Sequence, residues 1–198
     1  MGIGYITKST FLLRTFIFAF TLLGIFCLFI SDVSANQFLK KKPKWSYSSY
    51  DELKSLNVVD SDIYIQTPKE LVLYNADGVQ LWKFQPYGDK ILRYKVEDKD
   101  IIYVQTTDTL YALNWDGTER WYFQVNSNEK LKSFKISNDG TIFVLTSTEL
   151  YSIDPVDGEE NWHFTQGSET KNFKVLDDGM IYVVTLDSVY AFDSFSNS

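Results

Sequence analysis

From residue 55 onward the chain runs in short apolar segments divided by turn residues, and one order of segments comes round four times. Asp62-Ile-Tyr-Ile-Gln-Thr leads to Leu71-Val-Leu-Tyr-Asn, then Asp77-Gly78, then Leu81-Trp82-Lys-Phe. Asp100-Ile-Ile-Tyr-Val-Gln-Thr leads to Leu110-Tyr-Ala-Leu-Asn, Asp116-Gly117 and Arg120-Trp121-Tyr-Phe. Thr141-Ile-Phe-Val-Leu-Thr leads to Leu150-Tyr-Ser-Ile-Asp, Asp157-Gly158 and Asn161-Trp162-His-Phe. The last copy holds Met180-Ile-Tyr-Val-Val-Thr and Val189-Tyr-Ala-Phe-Asp. Short runs rich in Val, Ile, Tyr and Phe and bounded by Gly, Asn and Asp predict strands. Asp-Gly between two such runs predicts a hairpin, because glycine takes positive φ without a Cβ penalty. A further strand precedes each copy: Leu56-Asn-Val, Tyr94-Lys-Val, Phe134-Lys-Ile and Phe173-Lys-Val.

Each unit therefore predicts four strands, A to D. Strands B and C are apolar on both faces, where a half-exposed sheet would alternate. Sheets buried on both faces are packed between two others, as in the blades of a propeller. Trp45, Trp82, Trp121 and Trp162 lie 37, 39 and 41 residues apart, and a period of this size marks one supersecondary unit copied along the chain.

The C-turn-D segment carries a family pattern. Ser152-Ile-Asp154-Pro-Val-Asp157-Gly158-Glu-Glu-Asn-Trp162 resembles the tryptophan-docking motif of the PQQ-like, quinoprotein-type β-propeller repeat. Ala112 to Trp121 and Leu73 to Trp82 match it with a turn one residue shorter, and Gly78, Gly117 and Gly158 each stand four residues before their Trp. The resemblance covers about residues 43 to 198. It implies an all-β propeller of four-stranded antiparallel blades, with each Trp packed between neighbours. It implies little about activity, since one fold hosts many sites.

The strand count bears on closure. The chain offers four A, four B and four C strands, three D strands in place, and one displaced D-like segment, Lys44-Trp45-Ser-Tyr. The expectation is a ring of about four blades over residues 45–198, with Trp45 supplying the missing strand of the last blade and closing the sheet edge. Two alternatives stay open: a half-ring that dimerises into eight blades, and a truncated copy of a longer propeller. The resembled family more often has seven or eight blades.

The first 35 residues read differently. Lys8 and Arg14 precede an apolar run from Thr15 to Ile30, followed by Ser31-Asp-Val-Ser-Ala35. Val33 and Ala35 suit signal peptidase, so residues 1–35 are expected to be a secretory signal peptide, with an uncleaved N-terminal anchor as the alternative. Phe26 before Cys27 argues against lipidation. Residues 36–44 form a basic linker. Removing the leader takes away Lys8, Arg14, Asp32 and the single Cys, and leaves 17 basic against 25 acidic residues, a net charge of −8. A nucleic-acid partner would want a basic face. A secreted or extracytoplasmic location is expected, with membrane attachment only if the leader is retained.

No catalytic constellation stands out. His163 is the one histidine, beside Trp162 on a D strand where the other copies carry Ser46, Lys83 and Tyr122, and is read as an outward position. The acidic pairs Asp60/Asp62, Asp98/Asp100, Asp154/Asp157 and Asp177/Asp178 fall in turns, which Asp favours through local backbone bonding. The quinoprotein dehydrogenases of the resembled family bind PQQ with a vicinal Cys pair, a stacking Trp and calcium. This chain has no second Cys, and Trp115 sits in a hairpin turn, so neither PQQ nor a metal is expected.

Two features invite a binding role. Lys95, Lys135 and Lys174 recur on strand A, the innermost of a blade, and would form a positive throat for an anion; the plainer reading is solvent-facing alternation. The D-to-A connections, Pro86 to Lys90, Asn126 to Glu129 and Gln166 to Thr170, are candidate contact loops, with Tyr87 the most exposed-looking aromatic. Three functional readings follow. One is a non-catalytic module that presents loops to a protein or a cell-envelope polymer. Another is a quinoprotein-like or glycan-active enzyme. The third is a degenerate product of a larger propeller gene. The chain is expected as a monomer or dimer.

Overall fold

The computed structural model describes residues 41–97, 100–165 and 167–193. The leader expected over 1–35 and most of the linker over 36–44 lie outside them. A compact unit begins at Pro43 and carries every described strand. No helix among the described residues is long and apolar enough to cross a membrane.

Fifteen strands form four antiparallel sheets among these residues. Blade 1 contains β1 (Ser55–Val59), β2 (Asp62–Gln66), β3 (Leu71–Tyr74) and β4 (Gln80–Phe84). Blade 2 contains β5 (Arg93–Glu97), β6 (Ile101–Gln105), β7 (Thr109–Asn114) and β8 (Glu119–Gln124). Blade 3 contains β9 (Ser133–Ile136), β10 (Ile142–Leu145), β11 (Glu149–Ile153) and β12 (Glu160–Thr165). Blade 4 has only β13 (Thr170–Val175), β14 (Met180–Thr185) and β15 (Val189–Asp193). Every sheet follows chain order, so each blade is a meander, as the A-to-D reading requires.

The core lies between blades. Tyr64, Leu71 and Leu73 of blade 1 pack with Ile91, Ile102 and Val104 at blade 2. Tyr103, Leu110 and Trp121 of blade 2 pack with Phe134, Ile142 and Tyr151 at blade 3. Phe143, Leu145 and Leu150 of blade 3 pack with Phe173, Ile181 and Val183 of blade 4. Aromatic pairs cross each junction: Tyr64 with Tyr94, Tyr103 with Phe134, Phe123 with Tyr151, and Phe164 with Tyr190, at centroid distances of 5.0 to 6.0 Å. Such edge and tilted pairings add to plain area burial.

The tryptophan motif works as its spacing suggests. The indole of Trp82 donates to Trp115 O at 2.9 Å, and that of Trp121 to Pro155 O at 3.0 Å. Each ring covers the turn glycine of the next blade. A Cβ added to Gly117 would lie 2.6 Å from the Trp82 ring, and one on Gly158 would lie 2.6 Å from Trp121. Glycine is needed twice over at these turns, for the room and for the positive φ of 83° and 78°. A bulge recurs just before each C-D turn, between Leu73 and Tyr74, Ala112 and Leu113, and Ser152 and Ile153. It adds local twist and sets the Trp opposite Leu73, Ala112 or Ser152.

Four blades are present as expected, while ring closure by the N-terminal segment is not seen among the described residues. Trp45 does dock on blade 1: its ring lies against Gly78, stacks on Tyr74 at 5.8 Å and donates to Ala76 O at 3.3 Å. Lys44 holds Asp77 at 2.7 Å. That is the placement of a D-strand Trp from a preceding blade. Yet residues 44–48 form no strand, and the sheet of β13, β14 and β15 stays three-stranded. Two of the three junctions carry the Trp-on-Gly contact, Trp82 on Gly117 and Trp121 on Gly158, and among the described residues the outer faces of blades 1 and 4 carry exposed apolar side chains such as Leu56 and Val189. At the third junction Trp162 packs near Phe143 and Phe192.

Candidate functional site

The D-to-A loops and the B-to-C turns share one face of the propeller, and a repeated hydrogen-bond scheme ties them together. A threonine ends each B strand, and its hydroxyl accepts the backbone N–H that begins strand C: Thr67 from Glu70, Thr106 from Thr109, Thr146 from Glu149, and Thr185 from Ser188, at 2.9 to 3.1 Å. The loop then fastens to the turn. Ile91 N donates to Pro68 O, Leu131 N to Thr107 O, and Thr170 N to Ser147 O. Ile91, Leu131 and Thr170 are buried, so each loop is anchored where it enters the next strand A.

An acidic residue carries each of the first two loops on to the following blade. Asp89 accepts from Thr107 N at 2.8 Å and Thr107 Oγ1 at 2.9 Å. Glu129 accepts from Ser147 N at 3.0 Å and Thr148 Oγ1 at 2.7 Å. In the third loop Ser168 Oγ donates to Asp187 at 2.7 Å. Burial alone would raise the Asp89 carboxyl, but the hydrogen bonds from Lys90 N and from Thr107 outweigh it and hold the group below its ordinary value. Glu129 follows the same balance: burial raises it, while bonds from Thr148 and Ser147 bring it below the usual range. Both acids therefore stay charged and fixed near neutrality.

Tyr87 stands on the first of these loops with its side chain wholly in solvent, at 100% relative exposure. Buried Pro86 precedes it, and Gly88 follows at φ 72° with open space around it. The aromatic is thus presented by a fastened loop. Nothing in the spacing of Asp89 or Glu129 announced their capping role; the signal available was an acid two residues before a buried position in each loop.

The axial lysines are separately engaged. Lys95 pairs with Glu97 at 2.5 Å. Lys135 donates to Phe173 O and lies 4.7 Å above the Phe173 ring. Burial, and then the nearby charge of Lys174, push the Lys135 ammonium below its ordinary value. An open cavity of about 310 Å³ lies here, lined by Arg93, Lys95, Phe134, Lys135 and Val175 among others. Lys95 and Lys135 line this cavity together, with Lys95 matched by an acid, and Lys174 is exposed outside the lining. His163 is half exposed on β12 and bonds Glu160 through Nδ1 at 2.7 Å, an outward position as expected. Among the described residues no group of acids, His and Cys is arranged to hold a metal ion.

Known proteins match this arrangement. Residues 116–196 fit the profile of the family described as outer membrane protein assembly factor BamB. Over those residues the repeats are similar to PQQ-like propeller repeats. These PQQ-like repeats superpose on BamB from Moraxella catarrhalis with a TM-score of 0.57 and 16% identity, over 76% of this chain and 52% of that one. The C-terminal WD40 domain of Sif2 gives 0.59 at 11% identity, over 73% of this chain and 46% of that one. The computationally designed Ika4 protein gives 0.58 at 10% identity, over 74% of this chain and 93% of that one. At these identities the likeness establishes the fold alone. The chain spans about half the length of the BamB it matches. No curated protein matches its sequence.

Proposed function

We propose that the chain is an exported, non-catalytic propeller module that presents its D-to-A loop face to a protein or a cell-envelope polymer. The observation that carries this reading is Tyr87: an aromatic in full solvent on a loop pinned by Ile91 to one blade and by Asp89 to the next. An exposed ring on a fixed backbone loses little conformational freedom on binding, which is why such residues serve as contact anchors. Export is supported by the leader pattern ending at Ala35, and an envelope setting by the BamB family match over residues 116–196. Lys135 and Lys174 would add a positive rim for an acidic ligand at the axis.

A PQQ-dependent activity is not part of this reading. Cys27, inside the leader, is the single cysteine, so no vicinal pair exists to hold the quinone.

The test is capture of components from the native envelope fraction on the immobilised chain. Tyr87→Ala should lower the captured component by tenfold or more while circular dichroism stays unchanged. Equal capture by the variant would refute the loop-face reading. A thermal-shift series with PQQ and calcium checks the enzyme alternative, with no shift expected.

A further inference from the structure

Among the described residues, blades 1 and 4 each keep one face that no other blade covers, and these faces are the two halves of the junction used three times inside. On the side a blade turns to its successor, Tyr64, Tyr103 and Phe143 are buried, as are Leu71, Leu110 and Leu150. Blade 4 carries Tyr182 and Val189 at these positions, and they are 37% and 66% exposed. On the side turned to the predecessor, Phe134 and Phe173 are buried. Blade 1 carries Leu56 there, 66% exposed, with Val58 exposed beside it. An open groove of about 500 Å³ runs along this face, lined by Trp45, Tyr47, Leu53, Leu56 and Ile65 among others. Apolar patches of this kind on a soluble surface mark a contact that something covers.

The strand inventory says what covers them. Among the described residues blade 4 has three strands, and the Trp45 segment has the sequence of a D strand without a sheet. We propose that a second copy of this chain is the occupant. The two copies join head to tail, blade 4 of each on blade 1 of the other, and the Trp45 segment of each copy completes the other's three-stranded sheet. Two equal junctions about a twofold axis leave neither face open and give a ring of eight blades. Trp45 already sits on Gly78 as Trp82 sits on Gly117, so assembly needs no rearrangement of blade 1.

The internal junctions fix the register. Leu73, Ala112 and Ser152 stand opposite Trp82, Trp121 and Trp162, which puts Ala191 opposite Trp45. Thr109 opposite Gln124 and Glu149 opposite Thr165 then put Ser188 opposite Ser48. This inference stands on the fold and does not depend on the loop-face reading.

The experiment introduces Ser48→Cys and Ser188→Cys in a Cys27→Ser background, in the full chain expressed with its own leader. After mild oxidation, a disulfide-linked dimer on a non-reducing gel is expected, and native mass spectrometry of the Cys27→Ser chain should give twice the monomer mass. An intramolecular disulfide in a monomer would show that the chain closes its own ring and would overturn the proposal. So would absence of any disulfide, a native mass of one chain, or a ladder of linked chains. Val189→Glu and Leu56→Glu, both at exposed positions, should each halve the native mass with the circular dichroism retained; an unchanged mass would also overturn it.

Discussion

The turn glycines offer the sharpest test of how the blades are joined. Gly158→Ala changes two things at once. It places a side chain at φ 78°, where an L-residue costs about 1–2 kcal/mol. It also puts a methyl 2.6 Å from the Trp121 ring, well inside ordinary contact, so the indole must move. Trp121 is 6% exposed and holds Pro155 O, and forced repacking of a buried ring costs about 1–3 kcal/mol more. Gly140→Ala is the control. Its φ is 90°, but the nearest atom to the added methyl is Pro155 Cγ at 3.8 Å, so only the backbone term of about 1–2 kcal/mol applies.

The two effects separate in a double-mutant cycle read by urea unfolding followed by circular dichroism. Gly158→Ala should lower stability by about 2–5 kcal/mol in all. In a Trp121→Ala background the ring is gone, and the same change should fall back to about 1–2 kcal/mol, matching Gly140→Ala. Equal costs for Gly158→Ala and Gly140→Ala would refute the claim that the Trp selects glycine through space. A Gly158 penalty that persists undiminished without Trp121 would refute it as well.

Other outcomes follow from the same contacts. Trp45→Ala should cost less than the about 3–5 kcal/mol expected for Trp121→Ala, since Trp45 is only half buried; denaturant midpoints of the two variants check the order. Asp89 and Glu129 lie below their ordinary values of 3.8 and 4.5 when folded, so their contribution is full above those values and is lost as pH falls through the lower folded values. Asp89→Asn with Glu129→Gln should therefore flatten the acid limb of stability against pH and cost about 1–2 kcal/mol per site at neutral pH, measured by urea midpoints across pH 3–7. His163 is raised above 6.5 by its bond to Glu160, so whatever it adds to stability is complete below 6.5 and fades as pH rises through the folded value. An imidazole NMR titration should show the raised midpoint in the native chain and a return toward 6.5 in Glu160→Gln.

What the sequence disclosed and what it hid divide along one physical line. Strands, turns and the Trp-to-Gly spacing are local, and each copy repeats them, so β1 to β15 were legible from period and turn chemistry, and the packing of each Trp between neighbouring blades from the family resemblance. Tyr87 was legible too, as an aromatic in a loop between Pro86 and Gly88. The angle between blades is not local. It is set by how Tyr64 meets Tyr94, how Tyr103 meets Phe134, and how each indole seats on its glycine. A strand count is blind to it. Counting made Trp45 the D strand of the last blade; its ring lies on Gly78 of blade 1, and pairing of its segment with β15 is not seen among the described residues. The capping acids were hidden for a related reason: Asp89 and Glu129 act on the blade after their own loop, so their partners Thr107 and Ser147 lie 18 residues away with no shared motif. The exposed residues Leu56 and Val189 belong to the same non-local problem: a neighbouring blade buries their counterparts, Phe134 and Phe173 for the one and Leu71, Leu110 and Leu150 for the other, and no local pattern shows which copy has such a neighbour.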